Sequence, residues 1–402
     1  MTRAPGAVLA VNAGSSSLKA SLFDARLARL ARAEVERVGA ADASLRLTGA
    51  GGEETWAGPV AAADHAEALA RILDALARSG LPEPAMAGHR VVHGGSRRTA
   101  PAAVDAALLD ELRDLARLAP LHMPAEIAAI EELRARHPGL PQVACFDTAF
   151  FRRLPEAAQR LPLPQAVWDA GVRRLGFHGL SYEYLLSAVP QARTGRAVLA
   201  HLGNGASMAA VRDGDPVDTT MGFTPVGGIM MGTRPGDLDP GVLVHLARHH
   251  GMDADALDRL VTRESGLLGV SGTSGDMREL LARRDTDRRA ALAVEMFCAR
   301  ARREVGALAA ELGGLDTLVF TAGIGERAAA VRAEICSGLG HLGVTLDPQR
   351  NARHDAVISA PGAAVTVRVE RTDEDLMVAR HTQALAAADA HRARVGARAP
   401  AG

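Results

Sequence analysis

One hairpin-like segment occurs twice, about half a chain apart. Val8-Leu9-Ala10, then Asn12-Ala13-Gly14-Ser15-Ser16-Ser17, then an apolar strand, is echoed by Val198-Leu199-Ala200, then Gly203-Asn204-Gly205-Ala206-Ser207, then a second apolar strand. A unit used twice would build two similar cores, which constrains the fold more than any compositional average does. An Ala-rich chain also makes so short a match by chance, and both readings stand at this point. The length, 402 residues, exceeds one ordinary core and calls for two domains, or one large duplicated α/β unit, with a cleft between two lobes.

Apolar runs of strand length alternate with stretches of helical periodicity, the pattern of an α/β protein with a mixed sheet. Strands are expected at 8–11, 18–23, 31–38 and 44–47, a meander between Gly-rich turns. Helices are expected at 61–79, closed by Gly80 and Pro82, and at 104–118 and 124–136. The C-terminal half repeats the style, with a strand at 198–202, a long helix near 288–312, a strand at 317–321 and a last helix from Glu374 to about Ala388. The residues after Ala388, rich in Ala, Arg, Gly and Pro, read as a frayed tail.

A formal net charge of -1 gives no reason to expect nucleic acid or an anionic membrane as partner, so a small molecule is the expected one. No apolar run approaches a membrane span, and Met1 to Gly14 carry neither a charged leader nor a small-residue cleavage site; a cytoplasmic protein is expected. Cys145, Cys298 and Cys336 are odd in number and in no CxxC arrangement, which argues against a disulfide framework and a zinc site. Of the 46 basic residues only Lys19 is lysine: either one codon survived by chance, or a compact ammonium is wanted there.

A Gly/Ser/Asn-rich turn between two strands can point successive backbone N–H groups at an anion, and both hairpins fit that description, although each alone is more often an ordinary turn. A third glycine-rich segment, Phe320-Thr321-Ala322-Gly323-Ile324-Gly325-Glu326, follows a strand and opens a helix, which suits a nucleotide at a helix N-terminus. Neither a Walker P-loop nor a Rossmann spacing occurs. Cations and carboxylates flanked by glycine complete the set: His89-Arg90-Val91-Val92-His93-Gly94-Gly95, Leu121-His122-Met123-Pro124, Phe146-Asp147-Thr148, Gly176-Phe177-His178-Gly179 and Met231-Gly232-Thr233-Arg234-Pro235-Gly236-Asp237. Any single arginine or histidine here is more often a solvated or packed residue; their joint appearance with three Gly-rich turns points to a phosphate-handling site.

Taken in order, VNAGSSSLK at 11–19, HRVVHGG at 89–95, LAPLH at 118–122, FDTAF at 146–150, GFHG at 176–179, HLGNGAS at 201–207, GFTP at 222–225, MGTRPGD at 231–237, SGTSGDMR at 271–278 and TAGIGER at 321–327 resemble the acetate kinase family over nearly the whole chain. The resemblance implies a duplicated actin-like (ribonuclease H-like) α/β fold with an interdomain cleft, its first lobe 1–147 plus 375–402 and its nucleotide-binding lobe 148–374. It implies reversible transfer of the ATP γ-phosphoryl group to acetate or propionate, giving acyl phosphate and ADP, in a homodimer using Mg²⁺ or Mn²⁺. Position by position it implies that Asn12 and Glu374 orient the metal, and that Asn12, Ser15, Ser16 and Lys19 meet the terminal phosphate. His201, Gly203, Asn204 and Gly205 would hold the β- and γ-phosphates, and Asp276, Met277, Arg278, Gly323, Ile324 and Gly325 would surround the adenosine. Arg90, Arg234, His178, His122 and Asp147 would converge on the transfer point, and Val92, Leu121, Phe177 and Pro225, with Arg90, would hold the acyl substrate.

That chemistry is physically coherent, because a carboxylate acceptor is already ionised at pH 7 and needs positive charge rather than a general base. Asp147 therefore reads as a positioning or metal-supporting group. The chain departs from the family's pattern at Met123, where Asn is common, at Leu180 and Tyr182, where HGTSH is common, and at Val226-Gly227-Gly228, where Leu-Glu-Gly is common. These changes bear on acyl chain length. The rival readings are a butyrate or branched-acid kinase, a phosphatase-like relative, and a non-catalytic nucleotide-binding regulator, the last having no use for Arg90, Arg234, His178 and Asp147.

Overall fold

The computed structural model describes residues 6–396. The chain divides into two compact units, Met1–Ala149 with Asp373–Gly402, and Phe150–Thr372. In the first, β1 (Ala7–Ala13), β2 (Ser17–Phe23), β3 (Arg29–Glu36), β4 (Ser44–Gly49) and β5 (Glu54–Pro59) form an antiparallel meander. On the other side of β1 the sheet continues through parallel β6 (Pro84–Val91) and, inside a two-residue edge strand β7 (Ala102–Ala103), parallel β8 (Gln142–Phe146). The strand β5 lacks a sequence signal because it is an edge strand exposed almost throughout, with no buried face to impose alternation.

The second unit contains β9 (Arg196–Leu202), β10 (Ala206–Arg212) and β11 (Asp215–Thr219), antiparallel to one another, and β12 (Thr317–Thr321) and β13 (Thr366–Val369), parallel beyond β9. Its order, β11-β10-β9-β12-β13, has the same directions, pair by pair, as β3-β2-β1-β6-β8 of the first sheet. The sequence echo thus marks a duplicated α/β architecture: each Gly-rich turn joins the first two strands of its own copy.

In the first unit, Leu9, Val11 and Ala13 of β1 join Leu69 and Ile72 of the helix His65–Arg78 and Leu133 of the helix Met123–Arg136 in one core. The C-terminal helix, Glu374–Gly396, packs on β1, β6 and β8. It lies so close to β6 that a Cβ on Gly88 would stand 2.0 Å from Thr382 Oγ1 and 2.6 Å from Val378 Cγ1. Ser21 donates to Asp375 at 2.7 Å and Arg29 pairs with Asp373 at 2.5 Å, so the first turn of this helix is tied on both sides of Glu374.

Several boundaries differ from the sequence expectation for local reasons. The first helix starts at His65 rather than 61, because Asp64 caps it by accepting from Glu67 N at 2.8 Å. The second runs from Ala106 to Leu115, capped by Asp105, and tightens into a 3₁₀ turn through Leu118. The last helix does not end near Ala388 but continues to Gly396, since Ala and Arg are strong helix formers and no proline intervenes. Of the expected tail, residues 397–402 lie outside the described residues, as do Met1 to Pro5 of the expected leaderless start.

Candidate active site

Two sets of polar side chains form, one in each unit. In the first, strand register brings Asn12 opposite Lys19 and places Arg90 one residue beyond the Val11–His89 pair. Arg90 donates to both oxygens of the fully buried Asp147, Nη2 at 2.7 Å and Nε at 3.4 Å, and its Nη1 donates to Asn12 Oδ1 at 3.3 Å. Asn12 Nδ2 in turn donates to Glu374 Oε2 at 3.2 Å, and Arg90 Nε stands 3.6 Å from the same oxygen. Burial works against the Arg90 charge, but Asp147 and Glu374 outweigh it and hold the guanidinium above its usual range. Ser15 and Ser16 are exposed on the turn, while Lys19 Nζ pairs with its cross-strand neighbour Glu34 at 3.1 Å and is about one-third exposed. The ion pair is of the kind that contributes little to stability.

Val92 and the Leu121-His122 pair belong to the same unit. Val92 is 3% exposed, and its N–H donates at 3.1 Å to Oε2 of Glu126, a buried carboxylate in the first turn of the helix Met123–Arg136. His122 is the residue that precedes this helix. Sequence reasoning passed over Glu126, although a lone carboxylate in the run Met123-Pro124-Ala125-Glu126-Ile127 was a visible signal. Burial pushes its carboxyl up to about 8, opposed by Arg90 and the Val92 N–H. Because the folded value is raised, the unfolded chain gives up this proton first as pH rises, so the stabilising contribution is complete near pH 4.5 and is lost by about pH 8. Glu126→Gln should therefore gain stability relative to the parent between those limits, read as denaturation midpoints at pH 5 and pH 8.5. A pH-independent difference would place the proton elsewhere.

In the second unit, the Gly203–Gly205 turn is the focus. Built Cβ atoms would put Gly205 at 2.6 Å from Arg234 Nη2 and 3.4 Å from His178 Nε2, and Gly203 at 3.6 Å from Ala322 Cβ, so cation, histidine and the β12-to-helix turn all crowd one strand connection. A Cβ built on Gly232, two residues before Arg234, would meet both Asn204 Oδ1 and the Gly275 carbonyl, so the segment leading to Asp276 lies alongside. His178 and Ala322 both hold positive φ (60° and 64°), a conformation that residues with a Cβ adopt under constraint and that clusters at functional sites. His178 stacks on His201, with ring centroids 4.0 Å apart. Arg234 is 5% exposed and donates to the Pro225 carbonyl at 2.6 Å, and among the described residues no carboxylate stands within ion-pair reach of it. Burial alone lowers its value to about 10, which leaves it charged at neutral pH.

The expected adenosine residues have mixed placements. Asp276 caps the helix Met277–Arg283 and pairs with the exposed Arg278 at 2.8 Å, while Gly323 is exposed and open around its Cα. Met277 is 3% exposed, so its side chain serves the core and only its backbone remains for a ligand. Phe177, 1% exposed, directly precedes His178. Met123, Leu180 and Tyr182, the positions that depart from the family pattern, are fully or almost fully buried.

A family model described as the Acetokinase family matches residues 7–380. The chain belongs to this family. It is 46% identical over 401 residues, 94% of this chain and 98% of the relative, to an acetate kinase of Rhodopseudomonas palustris. A propionate kinase of Citrobacter rodentium is 43% identical over 395 residues, 95% of this chain and 97% of the relative. The crystal structure of Porphyromonas gingivalis acetate kinase superimposes with a TM-score of 0.83 at 37% identity, covering 95% of this chain and all of that one. Membership in the family makes the chain a phosphotransferase and accounts for the duplicated fold described above.

Proposed function

We propose that this enzyme transfers the ATP γ-phosphoryl group to the carboxylate of acetate or propionate, reversibly, in the cytoplasm and as a homodimer. The reading rests most heavily on Arg234, a buried guanidinium that has no carboxylate partner among the described residues and stands beside a glycine turn and a histidine, where an incoming anion would supply the missing charge. A carboxylate oxygen attacks the γ-phosphorus while the bond to the β–γ bridging oxygen breaks, and the electron pair leaves with ADP. No proton moves, since the acceptor is ionised and ADP leaves as an anion. Arg234 and His178 donate to the phosphoryl oxygens, and the Gly203–Gly205 turn with His201 and Asn204 holds the phosphate chain.

Arg90 carries the charge of the acceptor carboxylate, and Asp147, already accepting from two of its nitrogens, aligns it rather than acting as a base. His122 stands with Arg90, Arg234, His178 and Asp147 at the transfer point; Val92, Leu121, Phe177 and Pro225 contact the acyl group; Ser15, Ser16 and Lys19 face the terminal phosphate; and Asp276, the Met277 backbone, Arg278, Gly323, Ile324 and Gly325 surround the nucleoside. The oxygen donors Asn12 and Glu374 suit Mg²⁺, which prefers carboxylate and amide oxygens together with retained waters. When bound, the ion supplies charge neutralisation to the phosphate oxygens. Among the described residues no helix is long and apolar enough to cross a membrane.

Met123, Leu180 and Tyr182 are buried, as are Val92 and Phe177, the side chains assigned to the acyl group; with Val92 and Phe177 setting the limit, a small pocket is expected. A hydroxamate assay for acyl phosphate over C2 to C5 acids should show acetate and propionate with comparable kcat/KM and a fall at butyrate. A buried methylene contributes about 0.8 kcal/mol and an unaccommodated one clashes. Butyrate outperforming acetate would overturn the small pocket, and no acyl phosphate from any of the acids would overturn the kinase reading itself.

A further inference from the structure

Tyr182 and Ser207 form a hydroxyl chain that ends on His178. Ser207, the second residue of β10, stands opposite His201 of β9, and its Oγ lies 2.8 Å from His178 Nδ1. The phenol oxygen of Tyr182 lies 2.6 Å from the same Oγ. Tyr182 sits on the helix Gly179–Ala188, is fully buried, and has its ring held against Phe150 and Phe151 at centroid distances of 5.8 and 6.0 Å, so the hydroxyl is fixed in place. Stacking on His201, whose own Nδ1 is 2.9 Å from Ser181 Oγ, sets the plane of the His178 ring. What stacking cannot set is which ring nitrogen carries the proton.

We propose that Tyr182, acting through Ser207, is a positioning residue that fixes His178 in the tautomer with its proton on Nε2. The direction of the chain follows from the groups in it. A phenol is the strongest donor of the three and an imidazole nitrogen the strongest acceptor, so Tyr182 O–H donates to Ser207 Oγ and Ser207 O–H donates to Nδ1. With Nδ1 accepting, the ring proton resides on Nε2, the nitrogen that flanks the Gly205 position together with Arg234 Nη2. Two donors then meet there. The opposite tautomer would aim the Nε2 lone pair at an arriving phosphoryl oxygen and repel it. The catalytic consequence rests on the phosphoryl-transfer reading above; the tautomer does not.

The test pairs a spectroscopic readout with kinetics. In ¹⁵N-histidine-labelled protein, the His178 resonances, assigned by their loss in His178→Gln, should show a protonated Nε2 and an unprotonated Nδ1; the reverse pattern overturns the proposal whatever the variants do. In Tyr182→Phe the two nitrogens should move toward averaged shifts, and kcat should fall about ten- to a hundredfold, the range seen when a partner fixing a histidine's orientation is removed. KM values for nucleotide and acid should stay within about twofold. Should Tyr182→Phe fold poorly, Ser207→Ala breaks the same chain and should give the same spectral change. An unaltered His178 signature in whichever variant folds overturns the proposal, even if kcat drops. Because the spectrum needs no turnover, absence of kinase activity in the parent protein would sink the functional reading and leave this one to be decided separately.

Discussion

Replacing Arg234 with alanine should lower kcat by two to three orders of magnitude, about 3 kcal/mol of barrier, while the protein stays folded. The guanidinium is buried, contacts the Pro225 carbonyl, and has no carboxylate within ion-pair reach among the described residues, so its removal strips charge from the transferring group without orphaning an acidic partner. Burial already pulls its value down to about 10, a sign that the folded chain bears a cost to keep it ionised. The denaturation midpoint should therefore hold or rise in Arg234→Ala even as turnover collapses, with ATP affinity changed less than kcat. Near-normal kcat would remove Arg234 from the transfer step.

Arg90→Ala should behave differently, losing stability as well as rate. Asp147 is fully buried and Glu374 part-buried, and both face this guanidinium, at 2.7 and 3.6 Å. Deleting one member of a buried ion pair leaves uncompensated charge, with a typical cost of about 3–5 kcal/mol, beyond a kcat loss of similar size to that in Arg234→Ala. The double variant Arg90→Ala/Asp147→Asn should recover part of the stability and none of the rate, because it removes the orphaned charge but not the need for a cation. Chemical denaturation of the three variants, alongside steady-state kinetics, checks both halves. Equal stability of Arg90→Ala and the parent would show that Asp147 does not depend on Arg90.

The contrast between the two arginines was invisible in the sequence, where Arg90 stands between His89 and Val91 and Arg234 between Thr233 and Pro235, each in a recognisable motif. Strand order decides it: β6 and β8 are parallel neighbours, which sets Arg90 beside Asp147, while Arg234 lies in a loop packed on a glycine turn. Glu126 was similarly missed because one acid in an apolar helix start reads as surface until Val92 is seen to need it. The edge strand β5 was missed because nothing buries it. The long helix Arg288–Leu312 and the strand β12 were legible to the residue, since uninterrupted amphipathic periodicity and a bounded apolar run are local signals.

By itself the sequence determined the α/β class, the two Gly-rich hairpins, the third Gly-rich turn and, through ten motifs in order, the family. These are properties of residue order, carried by backbone permissiveness and side-chain periodicity within a few positions. Only the tertiary structure decided that the hairpin echo is a shared five-strand topology, that Met123, Leu180 and Tyr182 are interior, and that Tyr182 reaches His178 through Ser207. Those facts depend on which strands become neighbours and what the closing of each core leaves exposed, and residues 25 positions apart on a helix and a strand, such as Tyr182 and Ser207, acquire a hydrogen bond only when packing brings them together.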